Sequence, residues 1–555
     1  RTIRNERNLK PVYKVVDTCA GEFNAETPYS YSTYESTHDI QPLNGPKVMI
    51  LGGGPNRIGQ GIEFDYCCVQ AVYGLREAGF KSIMVNCNPE TVSTDFDLAD
   101  RLYFEPITFE DIMNIIEFEK PDGVLVQFGG QTPLKIAEQL TKEGVKILGT
   151  SSASIDLAEN REEFARIIKK LKIQIPDYCI AKNYDEIINF SEVAQFPVLV
   201  RPSYVLGGRA MQIVYNKEQL VDYVFRSAEA TNDHPILIDQ FIENAFEFDV
   251  DALCDGKEVF IAGIMQHIEE AGVHSGDSSC VIPPYDMSDK IKKDIIDMTT
   301  KLALELNVIG LINLQFAVKG NEAYVLEVNP RSSRTVPFVS KYSNVPLANI
   351  AAQLSVGKKL KDFNLEENNF NHIAVKKAVL PFKKFKNEKV FLGPEMKSTG
   401  EVMGIDSEPG MAFLKAMQSD GYTVPNEGTA FVSISDIDKK RALPIIRDLA
   451  TLNFKIIATK GTADFFIENG IECTSIFKVG EGRPNVVDEI LNDNIHLVIN
   501  TPLGAQSRYD EEAIGKTSVM KNILTITTLA GAKAAIAAMS HLDQVSVKPL
   551  QEYFK

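Results

Sequence analysis

The chain has 555 residues, of which 44% are apolar and 24% are charged, and its formal net charge is -17. This length exceeds what one hydrophobic core supports, so we expect several domains. The acidic excess disfavours nucleic acid as a partner, and since no apolar stretch reaches the ~20 residues that span a bilayer, we expect no membrane partner either.

The amino-terminal segment carries no clear structural period. Residues 1–45 are polar and rich in tyrosine, and we predict an extended linker that packs over a domain face. The chain begins at Arg1 without a methionine, and we interpret it as a fragment of a longer protein. Its eight cysteines form no Cys-x-x-Cys pair and accompany no histidine cluster, which disfavours zinc and fits reduced thiols in a cytoplasmic protein.

Buried apolar strands alternate with helical patterns between residues 46 and 150. The strands are V-M-I-L, S-I-M-V-N-C and G-V-L-V-Q-F-G-G, at 48–51, 82–87 and 123–130. Such alternation predicts a parallel α/β domain. The motif G-G-Q-T-P-L at 129–134 follows the third strand, at the edge where parallel sheets bind ligands.

A glycine loop, G-G-G-P-N-R-I-G-Q-G at 52–61, follows the first strand. A dinucleotide fingerprint would need glycine at Arg57, and a P-loop would need Lys and Ser or Thr after Gly59, so the loop fits neither motif. We interpret it as a tight strand-helix turn without a nucleotide. Arg57 and Glu63 are candidates for contact with a small anionic substrate or with another domain.

Long helical patterns and polar-alternating strands predict an α+β domain between residues 151 and 356. Within it, the segment 198–214 reads as strand, loop and strand, with Arg201 ending the first strand and Gly207-Gly208 in the loop beside Arg209. A fixed cation and a backbone that can approach an anion predict a flap over phosphates. A plain hairpin is the alternative.

Acidic residues then alternate along a strand. Glu247, Asp249 and Asp251 share one face of it, where they could accept hydrogen bonds from ribose hydroxyls or an exocyclic amine, or could simply be solvated. The loop A-G-V-H-S-G-D at 271–277 holds His274 near glycines, which predicts a flexible contact for a nucleotide or a phosphate.

The stretch from Leu314 to Arg334 reads as two short strands. Glu327 and Asn329 are two residues apart and leave the same face, and Gln315 comes from the partner strand, so the three can share one hard cation through oxygen ligands. Arg331 falls on that side and could neutralise phosphate oxygens. An amphipathic hairpin with a polar outer face is the alternative.

The last third of the chain begins with basic and Pro/Gly-rich stretches, and we predict a connector at 357–419. A final α/β unit follows at 420–555, indicated by the apolar runs F-K-I-I-A-T-K-G-T, H-L-V-I-N-T-P and I-L-T-I-T-T before an alanine-rich helix.

Taken in order, these motifs resemble those of ATP-grasp ligases, and the whole chain is similar to the second synthetase half and regulatory domain of carbamoyl phosphate synthetase large subunits. The resemblance is carried by G-G-G-P-N-R-I-G-Q-G-I-E-F-D-Y, V-N-C-N-P-E-T-V-S-T-D, Q-F-G-G-Q-T-P-L, R-P-S-Y-V-L-G-G-R-A-M and E-V-N-P-R. It implies a pre-ATP-grasp domain at 46–150, an ATP-grasp domain at 151–356, a connector at 357–419 and a Rossmann-like, methylglyoxal-synthase-like allosteric domain at 420–555.

The second half of that family phosphorylates carbamate with ATP, in arginine and pyrimidine biosynthesis. The implied cofactors are ATP, Mg²⁺ or Mn²⁺, and K⁺. The implied metal ligands are Gln315, Glu327 and Asn329, and the implied catalytic residues are Arg201 and Arg331, of which Arg331 orients the carbamate or the transferring phosphoryl group. The implied ATP-binding residues are Arg161, Arg201, Gly207, Gly208, Gln240, Ile242, Glu247, Gly272, Val273, His274, Ser275, Gln315 and Glu327.

In the last domain the resemblance implies a pyrimidine nucleotide effector. Its implied contacts are Lys439, Thr459, Thr462, Lys478, Asn500 and Thr501, for which plain turn roles are the alternative. Pro502 departs from the Asn-Thr-Thr of some family members, which leaves the identity of the effector open. A methylglyoxal synthase activity is a further alternative to regulation.

The resemblance also implies partners that lie outside this chain, namely an amino-terminal synthetase half and a glutaminase small subunit. The sequence leaves open whether copies of the chain associate as a homo-oligomer. Two other functions stay open at this point: a different ATP-grasp carboxylate-amine ligase, and a non-catalytic module whose nucleotide sites serve assembly or regulation.

Overall fold

The strands that the computed structural model describes form four sheets, which follow one another along the chain. The described residues are 2–17, 19–23, 29–55, 61–181, 184–202, 211–228, 236–243, 245–269, 271–285, 287–366, 370–381, 392–421, 423–436, 438–501 and 507–554. Outside them lie five residues of the predicted sites and loops, Arg57, Gly207, Gly208, Arg209 and Pro502.

The first sheet has the strand order β1-β2-β5-β4-β3-β6, and strands β2 to β6 pair in parallel. Its strands are β1 Val12–Val15, β2 Tyr29–Thr33, β3 Lys47–Leu51, β4 Lys81–Asn86, β5 Arg101–Phe104 and β6 Gly123–Leu125. Its helices are α1 Thr2–Glu6, α2 Ile62–Glu77, α3 Phe109–Glu119 and α4 Gln131–Lys142. Strands β3 and β6 are buried throughout, as the apolar runs predict, and the parallel α/β fold class is confirmed.

The leading segment, which we expected to be a linker, adds two strands to the edge of this sheet. β2 pairs in parallel with β5, and β1 pairs antiparallel with β2. Tyr13 is buried there, with its ring edge-on to Tyr103 at 4.9 Å between centroids. The strands contain only four and five residues, too few for an alternating pattern to stand out from the sequence.

Two antiparallel sheets follow. The smaller has the order β7-β10-β8-β9, with β7 Tyr178–Ala181, β8 Val198–Pro202, β9 Gln212–Val214 and β10 Ile236–Gln240. The larger has the order β15-β14-β11-β12-β13-β16-β17, with β11 Phe246–Asp255, β12 Val259–His267, β13 Cys280–Ile282, β14 Ile309–Lys319, β15 Glu322–Asn329, β16 Ile373–Val379 and β17 Gly400–Asp406. The helices are α5 Ser152–Glu159, α6 Arg161–Leu171, α7 Tyr184–Val193, α8 Lys217–Ala228, α9 Asp289–Glu305, α10 Val336–Ser343 and α11 Leu347–Ser355.

Helix α6 illustrates why these elements begin where they do. The Asn160 side chain accepts hydrogen bonds from the backbone N–H groups of Glu162 and Glu163, which caps the first turn. Both glutamates also lie at the positive end of the helix dipole. Helix α9 begins in the same way, with the Ser288 side chain accepting from the N–H of Ile291.

The segment 357–419, expected to be a connector, contains the last two strands of the larger sheet and helix α12 Pro409–Ser419. β16 pairs with β13 and β17 pairs with β16, all antiparallel. Gly404 allows α12 to lie directly against β17, because a Cβ at that position would come within 2.0 Å of the Ala412 carbonyl oxygen.

The last sheet is entirely parallel within the described residues, with the order β20-β19-β18-β21-β22. Its strands are β18 Gly428–Ile434, β19 Phe454–Thr459, β20 Thr474–Ile476, β21 Leu497–Thr501 and β22 Leu524–Ile526. Its helices are α13 Lys439–Thr451, α14 Lys460–Glu468, α15 Val486–Leu491, α16 Ser507–Met520 and α17 Leu529–Met539. Short 3₁₀ turns are found at Val92–Thr94, Leu360–Asp362, Leu542–Gln544 and Leu550–Phe554.

Continuous apolar cores join the sheets. One cluster contains Val48 of the first sheet, Leu253 of the larger antiparallel sheet and Phe338 of α10. A second contains Val281 of that larger sheet, Met411 of α12 and Val432 of the last sheet. The first and last α/β units therefore both pack on the larger antiparallel sheet. In the described part of the chain, no helix has the length and apolar character needed to cross a bilayer.

Candidate functional site

Gln315 on β14 lies directly opposite Glu327 on β15, and Asn313 lies opposite Asn329. Residues directly opposed on antiparallel strands face the same side of a sheet, as do residues two apart on one strand. Gln315, Glu327 and Asn329 therefore share one face. The register shifts immediately after Gln315, and such irregularities re-aim side chains at many functional sites. Glu327 is exposed, whereas Gln315 and Asn329 are half-buried, so the set borders open solvent.

The oxygen atoms of this set suit a hard cation. The amide nitrogen of Gln315 donates to the Ser275 hydroxyl at 3.1 Å, which leaves its amide oxygen available as a ligand. Glu327 adds a carboxylate and Asn329 adds a second amide oxygen. Carboxylate and amide oxygens are the ligands that Mg²⁺ accepts, so the residues present fit this ion.

The acidic strand β11 runs alongside. Asp249 is opposite Gln315, and Asp251 is opposite Asn313, so both carboxylates share the face of the predicted metal ligands. Asp251 is buried and accepts hydrogen bonds from Asn313, Ser333 and Thr335. Burial raises the pKa of Asp251 to about 6 despite these donors.

His267 on β12, which sequence reasoning missed, bridges two of these acids. Its Nε2 is 3.1 Å from Asp249 Oδ2, and its Nδ1 is 3.3 Å from Glu247 Oε2. Burial opposes the charged imidazolium, but the neighbouring Cys280 and Asp249 outweigh burial and raise the His267 pKa well above its usual value. A buried cation therefore fixes two acids of β11. In the sequence, the only indication of this role is that His267 ends an apolar strand, β12, which follows the acidic strand β11 and pairs with it.

Glu247 in turn holds the glycine-flanked loop. Its Oε1 accepts the backbone N–H of Gly272 at 3.0 Å. Gly272 has a φ of 97°, and a Cβ there would come within 2.9 Å of the Phe241 and Ile213 side chains, so this position requires glycine. Val273 follows in the same half-buried loop.

The His274 ring in this loop is an acceptor. Its Nδ1 accepts the Gly276 N–H at 3.0 Å, and the backbone N–H of His274 donates to the Gly393 carbonyl at 2.8 Å. Burial, with Arg334 and Lys376 nearby, lowers the His274 pKa to about 3. The ring is therefore neutral at physiological pH, and the Ser275 hydroxyl beside it contacts Gln315.

Two arginines meet one carboxylate at the smaller sheet. Arg201 Nη2 is 3.2 Å from Asp239 Oδ2, and Arg161 Nη2 donates to Asp239 Oδ1. Arg161 also lies over the Tyr178 ring, with 5.4 Å between Cζ and the ring centroid. Among the described residues, neither Arg161 Nε nor Arg201 Nε has a hydrogen-bond partner, although both atoms are buried.

Gln240 and Ile242 lie at the passage from the smaller to the larger antiparallel sheet. The Gln240 amide nitrogen donates to the Pro197 carbonyl at 3.3 Å, and its backbone N–H donates to the Asp177 carbonyl at 2.7 Å. Ile242 is half-buried. Gln240 thus has its main-chain donor and its side-chain donor occupied.

Arg331 lies in the loop that follows β15. The loop is fixed to the carboxyl end of β6, because the Ser332 N–H and hydroxyl donate to the Gln127 carbonyl at 3.0 and 2.9 Å. Burial lowers the Arg331 pKa, an effect that Glu327 and Glu159 oppose. Glu63 at the start of α2 is buried, and its Oε2 has no hydrogen-bond partner among the described residues.

The residues expected to contact an effector gather at the carboxyl edge of the last sheet. Thr459 ends β19 and Thr501 ends β21, where the Thr501 hydroxyl accepts the Ser435 N–H at 3.4 Å. The Thr462 hydroxyl exchanges hydrogen bonds with the backbone of Ile434, and Lys439 Nζ donates to the Gly461 carbonyl at 2.8 Å. Asn500 is buried and Lys478 is exposed at this edge.

Three family models match the chain. They are the carbamoyl phosphate synthase preATP-grasp domain over residues 44–157, the carbamoyl-phosphate synthase L chain ATP binding domain over residues 160–363, and the MGS-like domain over residues 441–527. The matches follow one another along the chain without overlap.

Curated relatives align with nearly the whole chain. The carbamoyl phosphate synthase large chain of Archaeoglobus fulgidus is 55% identical over 557 aligned residues, which cover 100% of this chain and 52% of that protein. The large chain of Pasteurella multocida is 53% identical, with 99% of this chain and 52% of that protein covered. The chain thus spans about half the length of these relatives.

Solved structures share the fold at low identity. The biotin carboxylase domain of 2-oxoglutarate carboxylase from Hydrogenobacter thermophilus, solved with MgADP and bicarbonate, has a TM-score of 0.51 and 17% identity, covering 61% of this chain and 76% of that one. An N5-carboxyaminoimidazole ribonucleotide synthetase, solved with ADP, has a TM-score of 0.51 and 16% identity, covering 69% and 97%. Together with the family matches, these similarities confirm the ATP-grasp fold class.

Proposed function

Since the chain belongs to the carbamoyl phosphate synthase large-chain family, we propose that it phosphorylates carbamate with ATP to give carbamoyl phosphate. The observation that carries the proposal is that Gln315, Glu327 and Asn329 lie on one face of the larger antiparallel sheet, with Gln315 directly opposite Glu327. This set of oxygen atoms, with Arg331 two residues beyond Asn329, suits a magnesium-nucleotide and the phosphoryl group that it transfers.

Nucleotide binding would use the residues around both antiparallel sheets. Asp239 holds Arg161 and Arg201, and their Nε donors, which have no partner among the described residues, suit phosphate oxygens. The loop 272–275 supplies backbone groups and the neutral His274 ring. Gln240 and Ile242 would border the adenine through the chain segment between the sheets, and Gly207 and Gly208 remain predicted contacts.

The reaction needs alignment and charge neutralisation more than a covalent intermediate. A carbamate oxygen attacks the γ-phosphorus, and the bond from that phosphorus to the ADP oxygen breaks. Magnesium bound by Gln315, Glu327 and Asn329 would neutralise charge on the phosphate oxygens. Arg331 would hold the carbamate or the transferring phosphoryl group, and Arg201 would hold the nucleotide phosphates. Mn²⁺ could replace Mg²⁺, and K⁺ is a further proposed cofactor.

Carbamate decomposes readily in water, so the site must receive it shielded from solvent. We infer that the amino-terminal synthetase half supplies carbamate, and that a glutaminase subunit supplies the nitrogen. Arginine and pyrimidine biosynthesis would consume the product. The last domain would then bind a pyrimidine nucleotide effector through Lys439, Thr459, Thr462, Lys478, Asn500 and Thr501.

The reverse reaction tests this function without the other half. The chain, mixed with ADP, Mg²⁺ and carbamoyl phosphate, should form ATP, and UMP should change the rate. Amine-dependent ADP release with a stable carboxylate, and no ATP formation in reverse, would instead identify another carboxylate-amine ligase. Nucleotide binding without any turnover would instead indicate a non-catalytic binding module.

A further inference from the structure

One aromatic ring lies between the first α/β unit and the two arginines of the loop after β15. Phe64 is in the first turn of α2, and its ring centroid is 5.9 Å from Arg331 Cζ and 5.6 Å from Arg334 Cζ. Both distances fall within the ~6 Å range of cation–π attraction. Phe64 thus contacts both cations from a different unit of the fold.

The surrounding backbone leaves room for this ring. Gly130, at the start of α4, has a φ of 75°, and a Cβ there would lie 3.1 Å from the Phe64 ring. Helix α2 itself starts after Gly61, whose φ is 85°. Both positions favour glycine, and together they allow the ring to project toward the arginine loop. The G-G-Q-T-P-L motif therefore has a packing role in addition to any ligand role.

Ser332 fixes the centre of the arginine loop, and Arg331 keeps one buried donor that no described residue occupies. Ser332 is fully buried and bonded to the carbonyls of Gln127 and Phe128, which fixes the backbone between the two arginines. Arg331 Nη1 donates to the Ser332 carbonyl at 2.9 Å, but Arg331 Nε is buried without a partner in the described part of the chain. The backbone is fixed, and the guanidinium retains a donor for a ligand.

Two cations three residues apart repel each other. Burial lowers the Arg334 pKa, and the charge of Arg331 lowers it further, whereas Glu63 opposes both effects. The negative face of an aromatic ring stabilises cations without occupying their N–H donors. A carboxylate in the place of the ring would accept from those donors, whereas the Phe64 ring does not occupy them.

We propose that Phe64 is a positioning residue that holds Arg331 and Arg334 ready for the carbamate or carbamoyl phosphate group. This inference rests on the proposed function. It also gives the first α/β unit a role at the site, because that unit supplies the ring that contacts both arginines.

Phe64→Leu and Phe64→Tyr test the proposal in the reverse reaction. Phe64→Leu should raise the KM for carbamoyl phosphate, or lower kcat, so that kcat/KM falls about tenfold, whereas the KM for ADP should stay unchanged. Phe64→Tyr keeps the ring and should retain most activity. The matched control is Tyr73→Leu on the same helix, where Arg76 Cζ is 5.9 Å from an exposed ring, and it should leave kcat/KM unchanged.

The outcomes separate this proposal from the proposed function. If the unsubstituted chain forms no ATP in reverse, the proposed function fails. If that chain is active and Phe64→Leu retains its kcat/KM, the positioning role is wrong. Thermal unfolding of each variant identifies a folding defect, and a loss of activity in Phe64→Leu and Phe64→Tyr alike, at equal stability, would also overturn the role of the ring.

Discussion

Arg201 lies against Asp239, with 3.2 Å between Nη2 and Oδ2, and the other oxygen of the same carboxylate holds Arg161. Asp239 is only 6% exposed, so this carboxylate fixes two cations in a poorly solvated place. Removal of one partner from a buried charge pair of this kind lowers the free energy of unfolding by several kcal/mol. The arrangement links strand β10 to both arginines that we assign to the nucleotide.

Replacing the shared carboxylate should loosen both arginines. Asp239→Asn keeps the shape of the side chain but removes its charge, so we expect about tenfold weaker ADP binding, measured by calorimetry. Asp297→Asn is the control, because its partner Lys301 is on an exposed helix surface. Equal ADP affinity in the Asp239→Asn variant and the unsubstituted chain would show that the two arginines do not bind the nucleotide.

Glu401 on β17 should make stability depend on pH. Burial raises its pKa from 4.5 to about 7, although Lys376 opposes the rise and Glu63 adds to it, with Lys341 and Asp251 also nearby. The folded state therefore keeps a proton that the unfolded chain has released. The stabilisation is complete below the unfolded pKa of about 4.5 and is lost as pH rises through about 7.

Glu401→Gln removes this titration. We expect the difference in Tm between pH 5 and pH 8 to shrink, by an amount that corresponds to at most about 3 kcal/mol and less where water reaches the half-buried carboxyl. Glu472→Gln, at an exposed position between α14 and β20, is the matched control. An unchanged Tm difference in Glu401→Gln would show that this carboxyl is already ionised in the folded protein at pH 5.

The segment Leu550–Phe554 should stabilise the packing of the last domain against the larger antiparallel sheet. The Tyr553 hydroxyl donates to the Ile405 carbonyl at 2.8 Å, and the Phe554 ring lies 5.3 Å from His372 and 5.4 Å from Phe370. A chain that ends at Glu552 should lose about 2 kcal/mol of stability, since two aromatic side chains leave their packing. Tyr553→Phe should lose about 1 kcal/mol, because the ring stays and only the hydrogen bonds of the hydroxyl, to Ile405 and Lys415, are removed.

Thermal unfolding and limited proteolysis measure this effect. The truncated chain should unfold at lower temperature and be cleaved sooner between the larger antiparallel sheet and the last domain. If the truncated chain, Tyr553→Phe and the full chain unfold at one temperature, the terminal contacts do not contribute to stability.

The sequence predicts those parts of the fold that depend on local patterns. Buried strands such as Lys47–Leu51 read directly as apolar runs, and the alternation of Glu327 and Asn329 places them on one face. Strands β16 and β17 were missed, because β16 pairs with β13, which lies some ninety residues earlier, and such distant pairing leaves no local signal. The short strands β1 and β2 could not be predicted either, because four and five residues are too few to show an alternating pattern.

The residues of the candidate site likewise include some that a local pattern predicts and some that depend on distant packing. Gln315 and Glu327 could be predicted as neighbours because a two-strand pattern fixes their register. His267 could not, since a single histidine at the end of an apolar strand resembles a core residue until Asp249 is known to lie beside it. Phe64 likewise reads as an ordinary apolar helix residue, and its contact with Arg331 depends on the packing of two separate units.

Glu327→Gln tests whether Gln315, Glu327 and Asn329 bind Mg²⁺. The substitution keeps the size of an exposed side chain and removes the carboxylate charge, so the protein should stay folded while the metal site weakens. The measurement is ATP formation from ADP and carbamoyl phosphate at increasing Mg²⁺, with Glu322→Gln, exposed at the other end of β15, as control. We expect at least about a hundredfold loss of kcat at limiting Mg²⁺ for Glu327→Gln and none for Glu322→Gln. Turnover by Glu327→Gln equal to that of the unsubstituted chain, at every Mg²⁺ concentration, would contradict the metal assignment.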